Sequence, residues 1–297
     1  MRRMLVDGMM RATAICAAIL LSAEAAGAAT LDHIAATKTL RIGYIPDQAP
    51  FSTKGDNGNP KGYAIDVCNR VADALSTKVS PLKRAYVETT LGDAFDAVAN
   101  GRIDLLCGAV TISLKRRETV DFSQPIFLTG ASALLRHDSP DDLQTLFLDK
   151  PAVRPASAEA SRGVIGVRAD TTTGATLRSA LGAEAATTKI ADFQNHMDGL
   201  KALEAHEIDA YFADRALLLG LISRARQPSA LAIGHRLFTH EPYGIAVKRG
   251  DPAFRLAVDR ALSDLYLSDD FPDLLRSYFG NEAPSLRSEI MMMSIPP

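Results

Sequence analysis

Apolar positions follow one another along this chain in two rhythms, short strands and longer helical stretches. Leu40 to Tyr44 reads as a strand with Arg41 as its polar interruption, and the stretch from Ile45 to Phe51 is a loop by its two prolines. After a turn over 56–63, Ala64, Cys68, Val71 and Leu75 fall on one helical face. A second strand lies near Tyr86 to Glu88. A helix with Leu91, Phe95 and Val98 in line then closes on Asn100 and Gly101. The strand Ile103 to Cys107 completes the run. Strand and helix alternating in this way predict an α/β lobe with a largely parallel sheet, whose ligands lie beyond the carboxyl ends of the strands.

The pattern then restarts. Ala131 to Arg136 reads as a strand crossing into a second lobe, and Gly163 to Arg168 opens a new sheet. Asp170 to Gly174 starts a helix. Phe193, Met197, Leu200 and Leu203 mark another, and 207–214 is a strand ending on Asp214, followed by a helix through Leu217, Leu218 and Leu221. Residues 241–251 cross back. Asp251 caps a helix with Pro252 in its first turn, and Phe254, Val258, Leu262 and Leu265 line its buried face. A last helix carries Leu274, Leu275 and Phe279, and the tail beyond Asn281, with its three methionines, reads as peripheral. The resulting division is 1–28 as a leader, 29–133 with 245–297 as lobe 1, and 134–244 as lobe 2. The Asp-, Pro-, Ala- and Ser-rich stretch 138–162 is in part a mobile insertion.

Composition narrows the partners. The formal net charge of the 297 residues is -2 with both signs interspersed, and no Lys/Arg-rich run suggests nucleic acid. Arg2, Arg3 and Arg11 precede a short apolar run from Ala14 to Leu21 and Ala-x-Ala patterns at Ala23–Ala25 and Ala26–Ala28, which predicts a secretory signal peptide cleaved after Ala28. A retained amphipathic anchor is the alternative. Export permits disulfides, and cleavage leaves two cysteines, Cys68 and Cys107. With no CxxC or His cluster, no metal site is expected.

The stretch Gly108 to Ser123 carries the chemistry. It leaves the core through Val110, turns polar with Thr111 and Ser113, continues to Arg116 and Arg117, and ends on Val120, Asp121, Phe122 and Ser123. Hydroxyls and a guanidinium at the mouth of a strand suit a carboxylate, because the arginine fork matches its two oxygens. A surface loop with two solvated arginines is the other reading.

The segment resembles the Thr-x-Thr-x-x-Arg-x-x-x-Val-Asp-Phe-Ser pattern of the family 3 periplasmic solute-binding proteins, the receptors of polar amino acid ABC transporters. The similarity covers roughly residues 38 to 282 and includes Gly62, Tyr63, Ile65 and Asp66 as well as Tyr243 to Val247. It implies an α/β, two-lobed periplasmic binding protein type II fold, with two α/β lobes joined by a two-segment hinge. It also implies a free amino acid ligand, an ABC transporter permease in the inner membrane as partner, a monomer in the periplasm, no cofactor and no catalysis.

The same resemblance assigns roles. Its register selects Arg116 over Arg117 for the ligand's α-carboxylate, with Thr111 and Ala109 beside it. Thr171 and Thr172 close over that carboxylate from the second lobe, where helix capping by Asp170 or Thr171 is the competing role. Asp170 departs from the family's glycine. Asp214 takes the α-ammonium, with N-capping of the next helix as the alternative. Phe51 offers a ligand-side ring or a plain core residue. Some relatives carry cysteines matching Cys68 and Cys107, which implies a bridge between them; two buried thiols are the alternative. Gln48 and Leu91 form a neutral wall. Arg168 contacts an amide or acidic side chain or pairs with Asp170, and His196 matches a ligand-contacting histidine or is simply a surface residue. Ile45 and Ala94 stand where acidic-ligand relatives carry arginines, which favours a polar or small neutral amino acid and leaves acidic ones open. A cyclohexadienyl dehydratase-like enzyme on the same fold, and a periplasmic sensor or assembly partner, are the alternative functions.

Overall fold

The strand mouth that carries Thr111 lies in the middle of a five-stranded sheet. The structure is a computed structural model that describes residues 29–148, 163–181 and 189–297. The predicted leader, and the part of the predicted insertion over 149–162, lie outside the described residues.

The first sheet is built from β1 (Thr39–Tyr44), β5 (Lys83–Glu88), β6 (Leu105–Cys107), β7 (Val120–Thr129) and β13 (Glu241–Lys248), in the order β5-β1-β6-β13-β7. β5, β1 and β6 run parallel, while β13 is antiparallel to both β6 and β7. A small sheet of β2 (Asp47–Gln48), β3 (Ser52–Lys54) and β4 (Pro60–Lys61) lies beyond the end of β1. The second sheet runs β10-β9-β11-β8-β12, from β8 (Ala131–Arg136), β9 (Val164–Arg168), β10 (Lys189–Phe193), β11 (Ala210–Asp214) and β12 (Leu231–Ile233).

The chain changes sheet at Gly130 and again ahead of Glu241. Both points precede the sequence-based boundaries, because Ala131 already pairs with Asp214 and Glu241 with Thr129. Gly130 has no room for a side chain: a Cβ there would lie 2.2 Å from the Thr239 carbonyl oxygen of the returning segment. The two crossings are tied together, with the Ala131 N–H donating to Thr239 Oγ1 at 2.8 Å and the Phe238 N–H to the Ala131 carbonyl at 2.8 Å.

Each five-stranded sheet carries a buried apolar cluster on both faces. Helix Tyr63–Ser76 buries Val67, Cys68, Val71 and Leu75, and helix Pro252–Leu267 buries Phe254, Val258 and Leu262 in the same core cluster. Asp251 accepts from the Phe254 N–H at 2.9 Å and so caps that second helix. The expectation of a peripheral tail is corrected. Residues Ala283–Met293 form a helix that buries Ala283, Leu286 and Ile290 in the lobe 1 core, and Ile295 bonds to Gln124 and Ser263 beyond it. Its apolar residues recur at helical spacing, which is what lets it dock.

Cys68, on helix Tyr63–Ser76, and Cys107, at the end of β6, are joined by a disulfide with Cα atoms 6.4 Å apart. The bridge closes a loop spanning 39 residues of sequence. Constraining the unfolded chain over such a loop stabilises the fold by about 2–4 kcal/mol. Replacing both cysteines by alanine is expected to cost about that much in a urea titration, and an unchanged midpoint would show that the bridge adds nothing.

Candidate functional site

The carboxyl ends of β6 and β11 face each other across the gap between the lobes. The narrow pocket between them has a volume of about 20 Å³. All the candidate ligand residues except Phe51 line it: Gln48, Leu91, Ala109, Thr111 and Arg116 from lobe 1, and Arg168, Thr171, Thr172, His196 and Asp214 from lobe 2. Thr173, Ala213 and Leu217, not singled out from sequence, also line it. Each is a chain neighbour of a candidate or lies three residues from one.

Phe51 is placed in the core. It is fully buried and packs edge-on against Tyr63, Phe127 and Tyr243, with Phe279 also against it. It therefore supports the site from behind, through Tyr243.

Lobe 1 builds a rigid mouth. The Gln48 side chain clasps the backbone of Ala109, accepting from its N–H at 3.0 Å and donating to its carbonyl at 3.4 Å. A Cβ at Gly108 would come within 2.4 Å of the Gln48 side-chain oxygen and would displace this clasp. Arg116 curls back on its own loop: Nη1 donates to the Thr111 carbonyl at 2.9 Å, and the guanidinium lies 4.7 Å from the centre of the Phe95 ring. Arg117 is exposed. Burial pushes the Arg116 guanidinium below its ordinary value, and the charges of Glu241 and Asp214 act against that shift.

Lobe 2 supplies the other half. Thr171 serves as a cap, accepting from the Gly174 N–H at 3.1 Å and donating to the Arg168 carbonyl at 2.8 Å. Its neighbour Asp170 has φ 60, the left-handed region that favours glycine. Thr172 reaches across to lobe 1, with its hydroxyl 2.9 Å from Glu241 Oε2 and 3.4 Å from Thr111 Oγ1. Asp214 begins helix Arg215–Ile222, but its side chain makes no capping bond. It accepts instead from the Tyr243 hydroxyl, while its Oδ1 finds no partner among the described residues. Burial and the nearby Glu241 carboxylate raise the Asp214 carboxyl to about 7, against the opposing pull of Tyr243 and Arg116.

The pairing of Arg168 with Asp170 is corrected. Arg168 Nη2 instead reaches Asp47 Oδ1 across the lobes at 3.0 Å, and Asp47 also accepts from the His196 N–H at 3.1 Å. Strand β2, which carries Asp47, and not the neighbouring turn, faces the guanidinium. Arg168 Nη1 is buried without a partner among the described residues. An unmatched buried polar group costs about 1–3 kcal/mol, which a bound molecule with the complementary group offsets. The surface reading of His196 is also corrected. The ring is buried, Nδ1 lies 3.0 Å from the Tyr211 hydroxyl, and burial and Arg168 lower it to about 3, so it is neutral. Asp47, Glu241 and Tyr243 went unassigned from sequence. Only Tyr243 had a signal, its place in the Tyr-Gly-Ile-Ala-Val run.

The pocket is thus lined by a fork-shaped cation, hydroxyls, and a carboxylate oxygen and a second guanidinium nitrogen that have no partner among the described residues. Among the described residues no cluster of three His, Cys, Asp or Glu is placed to hold a metal ion, and no helix is long and apolar enough to cross a membrane. Two α/β lobes joined by paired crossing segments, with a polar pocket between them, define the two-lobed solute-binding protein fold. The chain belongs to the bacterial extracellular solute-binding proteins, family 3, whose sequence profile it matches over residues 40–281. It is 30% identical to the L-glutamate/L-aspartate-binding protein of Pseudomonas aeruginosa, over 92% of this chain and 87% of that one. It is 26% identical to the ABC transporter glutamine-binding protein GlnH of Bacillus subtilis, over 86% and 87%. Among solved structures it resembles the ancestral amino acid-binding protein AncCDT-1, a precursor of cyclohexadienyl dehydratase, with a TM-score of 0.69 and 27% identity over 85% of this chain and all of that one.

Proposed function

We propose that this protein is the periplasmic amino acid receptor of an ABC importer, and that it closes its lobes over one ligand. The observation that carries this reading is the pair of buried, unpartnered polar atoms of opposite charge in one inter-lobe pocket, Arg168 Nη1 and Asp214 Oδ1, with Arg116 between the lobes. Arg116 and the Thr111 and Thr172 hydroxyls take the α-carboxylate, and Asp214 Oδ1 takes the α-ammonium. The ligand then touches both lobes only when they are closed, and its binding shifts the population to that state.

At the side-chain end Arg168 is already neutralised by Asp47. That favours a polar neutral side chain with an acceptor oxygen, since a carboxylate would add a charge without its own counter-ion. The names of the curated relatives keep acidic amino acids in the test.

A dehydratase reading has one supporting observation, the Asp214 carboxyl raised to about 7, where it could act as a general acid. A thermal-shift panel of the twenty amino acids with prephenate and arogenate separates the readings. A ligand at about 100 times its dissociation constant adds about 2.7 kcal/mol. One or a few amino acids raising the midpoint is the expected result. Silence from all of them, with turnover of prephenate or arogenate, would replace the receptor by an enzyme; silence from the whole panel would favour an assembly partner.

A further inference from the structure

Glu241 is a buried carboxylate to which nothing above gives a role in binding. It is 3% exposed, opens β13 opposite Thr129 where the chain returns from the second lobe, and is not among the residues that line the pocket. The hydrogen-bond donor its carboxylate has among the described residues is Thr172, the first residue of helix Thr172–Leu181 in lobe 2, at 2.9 Å. Its charge is felt by both Arg116 and Asp214.

The contact decides where one proton points. A hydroxyl has a single proton to donate, and a carboxylate only accepts. Thr172 therefore gives its proton to Glu241, and the longer contact of 3.4 Å between Thr172 Oγ1 and Thr111 Oγ1 falls to the proton of Thr111. Both hydroxyls assigned to the ligand's α-carboxylate are thus turned toward Glu241. For Thr172 to serve the ligand, its proton has to leave Glu241. A buried carboxylate then loses its donor while a second carboxylate arrives nearby, and both changes are unfavourable.

We propose that Glu241 is a positioning residue that competes with the ligand's α-carboxylate for the Thr172 hydroxyl, and so holds the affinity of the site below what Arg116 and the two threonines would give without it. The proposal rests on the amino acid reading above, and it concerns the end of the ligand that all α-amino acids share. Its consequence is that removing the acid tightens binding, which the loss of a merely structural residue does not do.

The experiment is a thermal-shift titration of the mature chain with each of the twenty amino acids at pH 8, repeated on Glu241 variants. At that pH Asp214, raised to about 7, is ionised with or without Glu241, so its proton stays out of the comparison. Glu241→Gln keeps the shape, and its amide N–H donates to Thr172 Oγ1, which frees the hydroxyl proton for the ligand. Every amino acid that binds the unsubstituted protein is expected to bind Glu241→Gln more than about fivefold tighter. Glu241→Ala is expected to gain in the same direction. In a Thr172→Val background the glutamine substitution is expected to gain less than about twofold. Equal or weaker binding by both Glu241 variants would overturn the proposal and leave the receptor standing. So would loss of the ligand-free melting transition in both, which would make Glu241 structural. A gain of the same size without the Thr172 hydroxyl would overturn it too, since the effect would then be one of charge alone. Loss of all binding with Thr172→Val would show that hydroxyl to be indispensable and leave the gain in the Glu241 variants as the deciding result. Silence of the unsubstituted protein and both Glu241 variants toward all twenty amino acids would bring down the receptor reading, and this inference with it.

Discussion

Arg116→Ala is expected to remove measurable ligand binding, while Arg117→Ala leaves affinity nearly unchanged. The two residues are adjacent in sequence and opposite in environment. Arg116 is half-buried, tethered to the Thr111 carbonyl at 2.9 Å and seated 4.7 Å from the Phe95 ring centre, whereas Arg117 is exposed. The tether and the ring fix the guanidinium before a ligand arrives, so little ordering entropy is left for binding to overcome. Truncating one partner of a buried, hydrogen-bonded charge pair costs about 2–5 kcal/mol, or roughly thirtyfold to several thousandfold in affinity. Arg116→Lys is expected to recover little, because an ammonium keeps the charge but not the planar fork. Calorimetry on the three variants decides the point, and equal losses from the alanine variants at 116 and 117 would dissolve the assignment.

The second large effect is on pH dependence, and it runs in two directions. The Asp214 carboxyl is raised from 3.8 to about 7, first by burial and then by Glu241, with Tyr243 and Arg116 pulling the other way. At Asp214 the ligand-free fold therefore keeps a proton between about pH 4 and 7 that the unfolded chain has released, and the contribution of this carboxyl to stability falls as pH rises through that window. Affinity moves oppositely. An ammonium pairs with the charged carboxylate, so binding expels the proton and weakens by up to about tenfold per pH unit below 7. His196, held at about 3, stays neutral in the folded protein and so adds no slope to affinity, but the unfolded chain protonates it below about 6.5, so its contribution to stability rises with pH up to there and opposes that of Asp214. Asp214→Asn is expected to flatten the affinity profile, to remove the Asp214 contribution from the stability profile, and to weaken binding at pH 8 severalfold or more. Dissociation constants measured from pH 5 to 8 on both proteins test this, and a flat profile in the unsubstituted protein would mean that Asp214 does not face the ammonium.

Much of the site could be read from the chain because its parts are local. Thr111 and Arg116 belong to one strand mouth, and Asp214 announces itself as an acid ending an apolar strand. What could not be read depends on how the lobes meet. Arg168 has an acid two residues away in Asp170, yet it pairs with Asp47 from the other lobe, a contact that only closure creates. Phe51 was divided between ligand and core, and the choice is made by rings from distant segments, Phe127, Tyr243 and Phe279, which gather around it. The C-terminal helix had helical spacing in Ala283, Leu286 and Ile290. Its weak amphipathicity and its methionine run hid the fact that a core surface was waiting for it.

The position of β13 sets the order in which the molecule can mature. β13 fills the place between β6 and β7, and within the sheet β7 pairs with no other strand. As the chain emerges from its amino end, the first lobe therefore has to wait, with β7 unpaired, until residues beyond Glu241 arrive. The second sheet draws all its strands from one uninterrupted stretch, Ala131 to Ile233, and is complete before then. The lobe that begins later in the sequence is thus the one that finishes first, and the amino-terminal half closes only around the last part of the chain to appear.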